Sequence, residues 1–254
     1  MFDLNQFSLK DKVALVTGGG RGIGQAIAFG FARAGAKVAI TSRKAPDLEA
    51  TACQMEDVGC ETLVIPAHLG KFDEIQRVVD TVLQKFGRLD ILVNNAATNP
   101  TMVPAMDIDD RAWDSIMNLN LKGLFFLSQA VARIMKEKGG GRIINVASVA
   151  GLSPDILPVY SISKAGVIMA TKVMAQQWAI YNIRANAIAP SLTKTKFSEP
   201  LWTNQDILNI AMSSTPLGRP AEPDDMVGAV IFLASDASDY ITGQVLAIDG
   251  GMTI

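Results

Sequence analysis

Several features are scarce in this sequence, and each absence excludes a class of protein. Only two of the 254 residues are cysteines and only one is a histidine, so neither a disulfide framework nor a zinc site is indicated and no metal is expected. Cys53 and Cys60 are expected to be small thiols, buried or half-buried. Lys and Arg total 23 against 25 Asp and Glu, a net charge of −2. This balance argues against nucleic-acid binding, which needs a clear basic excess.

Long apolar runs are also absent. The longest stretches, such as residues 228–234, fall far short of the roughly 20 residues that span a bilayer. Residues 1–6 lack the basic segment and apolar run of a secretory signal. We therefore expect a cytoplasmic protein that does not enter a membrane. Hydrophobic residues still make up 49% of the chain, which is enough for a large core.

Short apolar runs alternate with amphipathic segments along the whole chain. The runs predict strands at residues 13–16, 38–41, 62–65, 91–93, 143–146, 185–188 and 245–248. They are apolar throughout, which is typical of parallel strands buried on both faces. The segments between them predict helices at residues 25–34, 48–58, 72–86, 109–138 and 159–180. This order predicts one α/β domain, a doubly wound parallel sheet of about seven strands with helices on both faces.

One segment departs from this alternation. Residues 190–220 contain no clear strand and carry Thr193, Lys194, Lys196, Phe197, Leu201 and Trp202. A long insertion of this kind in a compact domain is more often a binding loop than an accident. We expect residues 190–220 to form a lid over the substrate.

A glycine-rich turn follows the first predicted strand. Residues 17–24 read TGGGRGIG and lead directly into a helix. Glycines let such a turn bring backbone amides against a pyrophosphate, whose charge the helix N-terminus favours. A tight turn that binds nothing would also use glycines, but the position after the first strand favours a nucleotide site.

Five segments carry a family resemblance, in order and across essentially the whole chain. They are TGxxxGxG at residues 17–24, NNAA at 94–97, YSISK at 160–164, IRANAIAP at 183–190 and GQVLAIDGG at 243–251. The chain resembles the short-chain dehydrogenase/reductase family. The resemblance implies a single Rossmann-like domain over residues 1–254, a nicotinamide cofactor and hydride transfer.

The candidate catalytic residues are Ser148, Tyr160 and Lys164. Tyr160 and Lys164 are four positions apart on a predicted helix and share one face. An ammonium lowers a phenol's pKa from its usual value of about 10, which suits the phenol to proton exchange. Taken alone, such a pair also fits an ordinary helix surface. Ser148 follows the fifth strand at the sheet's carboxyl edge, where it can hydrogen-bond the reacting oxygen.

The resemblance implies further roles. Asn120 matches a helix asparagine that anchors a water-linked proton relay, Lys164 also contacts the nicotinamide ribose, and Thr193 stands where a hydroxyl holds the carboxamide. The chain has Ser191 where family members often have glycine. The full expected set of cofactor contacts is Gly18, Arg21, Gly22, Ile23, Gly24, Ser42, Arg43, His68, Leu69, Asn94, Ala96, Tyr160, Lys164, Pro190 and Thr193.

The second strand predicts which nicotinamide is used. An acidic residue at its end would bind the ribose hydroxyls of NAD and repel a 2′-phosphate. Here the strand ends in Ser42, Arg43 and Lys44, with no carboxylate before Asp47. Arg43, flanked by Arg21 of the glycine turn, predicts NADP(H), although two solvated surface arginines are a common alternative.

The leading hypothesis is an NADP(H)-dependent reductase of ketones or aldehydes. Short matches around His68, which is expected to contact the adenine, resemble the NADPH-dependent retinol and carbonyl reductase branch. A 3-oxoacyl-carrier-protein reductase and a sugar or polyol dehydrogenase remain open alternatives, and a catalytically silent nucleotide-binding scaffold is the rival class. The family resemblance also implies a homotetramer, in which the long helices at 109–138 and 159–180 pack against a partner. These segments have more apolar residues than one sheet face needs, including Phe125, Phe126, Leu127, Val167, Ile168 and Val173.

Overall fold

The fold is built on one parallel sheet. The computed structural model describes residues 3–154 and 156–254. Within them, seven strands pair in the order β3-β2-β1-β4-β5-β6-β7, every neighbouring pair parallel. They are β1 Val13–Thr17, β2 Lys37–Ser42, β3 Thr62–Pro66, β4 Ile91–Asn94, β5 Gly141–Val146, β6 Ile183–Pro190 and β7 Val245–Ile248. The predicted single domain with a doubly wound, seven-stranded sheet is confirmed.

The strands are apolar throughout because both faces of the sheet are covered. On β1, Val13 and Leu15 belong to one buried cluster, whereas Ala14 and Val16 belong to a second cluster on the other face. The covering helices are α1 Gly22–Arg33, α2 Ala45–Glu56, α3 Phe72–Phe86, α4 Asp110–Met117, α5 Leu124–Glu137, α6 Pro158–Trp178 and α9 Val227–Ala234. Buried residues of α3, α5 and α6 form the first cluster, and those of α1, α2 and α9 the second.

The prediction of one regular helix over residues 109–138 was wrong. A π-helical segment, Asn118–Gly123, separates α4 from α5. The segment ends at Gly123, where the chain packs so closely that a Cβ would lie 2.3 Å from the Leu69 carbonyl oxygen. The apolar periodicity continues through this segment, so the sequence pattern does not reveal it. Such π segments often occur at functional sites.

Smaller differences concern helix starts and one cysteine. Helix α1 begins at Gly22, directly in the glycine turn, and α2 begins at Ala45, before the proline that fits a first helical turn. Cys53 is exposed on α2, so the expectation of a covered thiol was wrong there. Cys60 is buried, its thiol donates to the Ala36 carbonyl, and burial raises the thiol's pKa.

The segment at residues 190–220 leaves the sheet at the end of β6. It contains two short helices, α7 Glu199–Trp202 and α8 Gln205–Ser213. Its one contact of strand type is an isolated parallel bridge between Thr193 and Ala221. The segment therefore stands on the carboxyl edge of the sheet without being part of it.

The helices that are expected to pack against a partner subunit carry apolar residues of two kinds, some buried within the subunit and some partly exposed. Leu127 and Val167 are fully buried inside the subunit, so these two residues are not available to a partner. Phe125, Phe126 and Val173 are half-buried, and Ile168 is 9% exposed. No helix among the described residues is both long enough and apolar enough to cross a bilayer.

Candidate active site

The glycine turn connects β1 to α1 with very little space. Gly18 has φ +66°, a conformation that favours glycine, and its amide donates to the Thr41 carbonyl over 2.7 Å. A Cβ on Gly24 would lie 2.3 Å from the Gly18 carbonyl oxygen. The turn is thus packed too tightly for side chains at Gly18 and Gly24, and it presents the N-terminus of α1 to the cleft beside it.

The loop after β4 is tied to this turn by Thr17. The Thr17 hydroxyl accepts from the Asn95 and Ala96 amides, both at 2.9 Å, and donates to the Val93 carbonyl. The Asn95 side chain donates back to the Thr17 carbonyl over 2.9 Å. These bonds bring β1 and β4 together at the point where the strand order reverses, the usual ligand position in such sheets.

The outer end of the cleft is polar and cationic. Arg21, Ser42, Arg43 and Lys44 line it, and the Arg21 and Arg43 side chains form no ion pair with any carboxylate of the described residues. The Thr41 hydroxyl is buried at the same end and has no hydrogen-bond partner. A buried orphaned hydroxyl beside unpaired guanidinium groups suits a polar, anionic ligand.

His68 and Leu69 form one wall of this end, directly after β3. The His68 Nδ1 accepts from the Gly70 amide over 3.1 Å, which fixes the ring against the chain. Leu69 is 6% exposed and lines the same cleft. His68 and Leu69, both predicted cofactor contacts, therefore line the cleft.

The inner end of the cleft is defined by α6. Tyr160 and Lys164 lie on consecutive turns of this helix, and the Lys164 Nζ is 5.5 Å from the centroid of the Tyr160 ring. Lys164 is 2% exposed, and its Nζ donates to the Val146 carbonyl over 2.6 Å. Burial lowers the pKa of Lys164 to about 8. An ammonium held this deep acts strongly on its neighbours because little water screens it.

Ser148 lies just beyond β5. Its Oγ accepts a hydrogen bond from the Ala150 amide over 3.1 Å. It also donates a hydrogen bond to the Pro190 carbonyl oxygen over 3.5 Å. The second bond is long, so the hydroxyl proton can turn to another acceptor at low cost.

Asn120 lies in the π-helical segment and is fully buried. Its side chain accepts from the Thr98 amide and donates to the Thr98 carbonyl, at 2.8 and 3.0 Å. It also donates to the Ser163 hydroxyl, which in turn donates to the Tyr160 carbonyl. Asn120 therefore ties the loop after β4 to the helix that carries Tyr160.

The chain is similar to known proteins over nearly its whole length. A family model described as enoyl-(acyl carrier protein) reductase matches residues 18–253. The chain is 40% identical over 250 residues to 2-dehydro-3-deoxy-D-gluconate 5-dehydrogenase of Escherichia coli (strain K12), covering 98% of each chain. The chain belongs to the short-chain dehydrogenase/reductase family.

Two further relatives of this short-chain dehydrogenase/reductase show the same full-length match. Dehydrogenase/reductase SDR family member 4 of Oryctolagus cuniculus is 37% identical over 244 residues, which are 96% of this chain and 94% of that protein. A solved structure from Beutenbergia cavernae, described as an NAD(P)-dependent gluconate 5-dehydrogenase with NADP bound at low occupancy, aligns with a TM-score of 0.93 at 35% identity. That alignment covers 97% of this chain and 98% of that one.

Most of the predicted site residues of this dehydrogenase/reductase lie together. The cleft is lined by Gly18, Arg21, Gly22, Ile23, Ser42, Arg43, His68, Leu69, Ala96, Tyr160 and Lys164. Ser148, just after β5, and Pro190, at the end of β6, lie beside each other and are not among the residues that line the cleft. Gly24 packs behind the glycine turn.

Two predicted cofactor contacts lie elsewhere. Asn94 is 3% exposed, and its amide donates to the Ser128 hydroxyl and the Asn145 side chain at 2.8 and 2.9 Å. It joins β4 to β5 and α5 and is not part of the cleft wall. Thr193 is 4% exposed, and its hydroxyl donates to the Ser191 carbonyl, away from the cleft.

The cleft wall contributed by the 190–220 segment is Thr195, Lys196 and Phe197. Thr195 approaches the glycine turn so closely that a Cβ on Gly22 would lie 3.1 Å from its methyl group. The sequence predicts a hydroxyl contact from this segment at Thr193, and Thr195 is the threonine that lines the cleft. The two threonines are two positions apart in an irregular stretch, where no periodicity distinguishes inside from outside.

Proposed function

We propose that the protein is an NADP(H)-dependent oxidoreductase of the carbonyl reductase type, which interconverts ketones or aldehydes and alcohols. The observation that supports this most is the buried Lys164 ammonium beside Tyr160, in the same cleft as the glycine turn. A tightly packed glycine turn, a Thr41 hydroxyl with no hydrogen-bond partner among the described residues, and arginines outside every described ion pair fit a phosphorylated dinucleotide.

The proposed mechanism divides the work between the cofactor and three side chains. The glycine turn and the outer end of the cleft would hold NADPH, which would supply a hydride to the carbonyl carbon. Ser148 donates a hydrogen bond to the carbonyl oxygen and orients it, while the Tyr160 hydroxyl gives that oxygen a proton. Lys164 stabilises the resulting phenolate by its charge, and the same groups accept a proton from an alcohol in the reverse direction.

Asn120 is proposed to act by positioning. Both polar ends of its side chain are already occupied by Thr98 and Ser163. It holds the π-helical segment against α6, so that Leu119 lines the cleft and Tyr160 keeps its place. Both N–H donors of its side chain are used, at the Thr98 carbonyl and the Ser163 hydroxyl, and a proton relay at this residue is proposed to use its backbone.

NADP(H) is proposed because of the outer end of the cleft. Arg43 and Arg21 form no ion pair with a described carboxylate, although Asp47 lines the same cleft, and Ser42 stands where an acidic residue would repel a 2′-phosphate. The NADP bound in the Beutenbergia cavernae structure is consistent with this choice.

A sugar-acid dehydrogenase is the second candidate. The relative from Escherichia coli is named for such a substrate, and the exposed Lys196 on the cleft wall is a cation that could meet a carboxylate. Lys194 is less suited, because it pairs with Glu222 over 2.9 Å.

A spectrophotometric screen tests the proposal. Ketones, aldehydes, acyl thioesters and keto sugar acids are each supplied with NADPH and with NADH, and oxidation of the cofactor is followed. We expect carbonyl-dependent oxidation of NADPH, faster than that of NADH. If neither cofactor is turned over with any carbonyl while NADPH still binds, the protein is a silent nucleotide-binding scaffold.

We further propose that residues 190–220 form a lid and that the protein is a homotetramer. The lid is supported by the contacts of Thr195 and Phe197 with the cleft. The assembly is supported by exposed apolar residues on the long helices, including Trp113 on α4 and Met169 on α6. Sedimentation that shows only a 27.1 kDa species at micromolar concentration would contradict the tetramer.

A further inference from the structure

The aromatic ring of Phe197 lies against the ring of Tyr160. The two centroids are 5.9 Å apart and the planes are tilted by 40°, within the range of a favourable aromatic pair. Phe197 is nevertheless 42% exposed and lines the cleft. One side of the ring covers Tyr160, and the rest remains accessible from the cleft.

A compact hydrogen-bonded turn holds Phe197 in this place. The Thr195 amide donates to the Ser198 hydroxyl, and the Ser198 amide donates to the Thr195 hydroxyl, both over 3.3 Å. The Ser198 hydroxyl also donates to the Thr193 carbonyl, and the Trp202 indole donates to the Thr195 carbonyl over 3.0 Å. Because Ser198 is 9% exposed, the turn is anchored on both sides of Phe197.

Phe197 is the exposed apolar group of the cleft wall beside Tyr160. Leu152 and Ile156, on the connection from Ser148 to α6, are also exposed apolar side chains, at 47% and 58%. Within the 190–220 segment, Lys194 is neutralised by Glu222. The charged groups that line the cleft with Tyr160 at this end are Lys164, which is bonded to the Val146 carbonyl, and Lys196.

We infer that Phe197 is a specificity-determining residue that selects carbonyl substrates with an apolar aryl or alkyl substituent over polyhydroxylated keto acids. The inference rests on the proposed function. A carbonyl oxygen within hydrogen-bond reach of the Tyr160 hydroxyl places its substituents in the shell of groups around that ring, and Phe197 belongs to this shell. An apolar substituent loses contact with water at no polar cost there, whereas sugar hydroxyls facing an aromatic ring lose hydrogen bonds to water without replacement.

The test compares two substrate classes on three proteins. We measure kcat/KM with NADPH for acetophenone and 2-octanone and for 5-keto-D-gluconate, on wild type, Phe197→Ala and Phe197→Leu. Wild type should prefer the apolar ketones. Phe197→Ala should lower kcat/KM for them by about tenfold, as expected for lost apolar and aromatic contact. The same change should leave the value for the keto acid the same or higher, and Phe197→Leu should recover most of the loss.

Fluorescence titration of NADPH on each variant separates a substrate effect from a folding defect. An unchanged Kd together with a changed substrate ratio supports the inference. A wild type that prefers 5-keto-D-gluconate, or variants that change both classes equally, would overturn it and leave the carbonyl reductase itself standing. A wild type that turns over no carbonyl with either cofactor would overturn the proposed function and this inference with it.

Discussion

The two ends of the cleft are built in opposite ways. At the inner end, Lys164 is 2% exposed and bonded to the Val146 carbonyl, and Ser148 is held by the chain around it. At the outer end, Arg21 and Arg43 are exposed and pair with no described carboxylate. The inner end holds the charge of Lys164 in a buried, hydrogen-bonded position. The outer end leaves the charges of Arg21 and Arg43 exposed to solvent.

This difference indicates what each end is suited to do. A charge in a low-dielectric position acts strongly on a neighbouring proton equilibrium, and salt screens it little. Exposed guanidinium groups make a favourable electrostatic interaction only when an anion binds to them, and salt screens that interaction. The inner end therefore suits proton transfer, and the outer end suits the choice between two cofactors that differ by one phosphate.

Removal of the Tyr160 hydroxyl should have the largest effect on activity, and this effect should be limited to the inner end of the cleft. Tyr160→Phe deletes the proposed proton carrier and leaves the ring against Phe197, so kcat should fall by about a hundredfold to ten-thousandfold. The Kd for NADPH should stay close to that of wild type, because the glycine turn is untouched. A kcat within tenfold of wild type would refute the assignment of Tyr160.

Arg43 tests the outer end. Arg43→Ala removes a charge-assisted contact to a 2′-phosphate, so KM for NADPH should rise by about ten- to a hundredfold while KM for NADH stays nearly constant. Ser42→Asp should go further and turn the preference towards NADH by repulsion. Steady-state kinetics with both cofactors at two salt concentrations give the comparison, and the Arg43 effect should shrink at high salt.

Two results would break this half of the comparison. Wild type could prefer NADH, or Arg43→Ala could impair both cofactors equally. Either outcome would make Arg43 a surface residue without a role in cofactor choice. Lys10→Ala, on an exposed residue before β1, is a matched control for the loss of one surface cation.

The sheet could be predicted from sequence because its signals are local. Each strand is a continuous apolar run, and burial on both faces produces such runs directly, as Val13 to Val16 illustrate. The glycine turn is equally local, since Gly18 and Gly24 answer to constraints within a few residues. The Tyr160 and Lys164 pair follows from helix geometry alone.

The features that were missed depend on contacts between distant segments. Gly123, at the end of the π-helical segment, packs against Leu69, 54 positions away in sequence. The burial of Asn94 depends on Ser128 and Asn145. Thr195 approaches the glycine turn from the hydrogen-bonded turn around Ser198, and no repeat along the chain encodes any of these partners.

The pH dependence of stability provides the finest test, because it asks whether the inner end is as dry as its geometry indicates. Burial lowers the pKa of Lys164 from 10.5 to about 8, so between these pH values the unfolded chain binds more protons than the folded one. The folded state should therefore gain stability as pH rises through this window, by at most about tenfold in the unfolding equilibrium constant per pH unit.

Denaturant unfolding of cofactor-free Tyr160→Phe, with and without Lys164→Met, isolates this contribution because the nearby phenol is removed from both proteins. The protein that retains Lys164 should gain stability relative to the double variant between pH 8 and pH 10. Parallel stability curves would mean that Lys164 titrates as it does in water, and the contrast between a dry inner end and a wet outer end would then be lost.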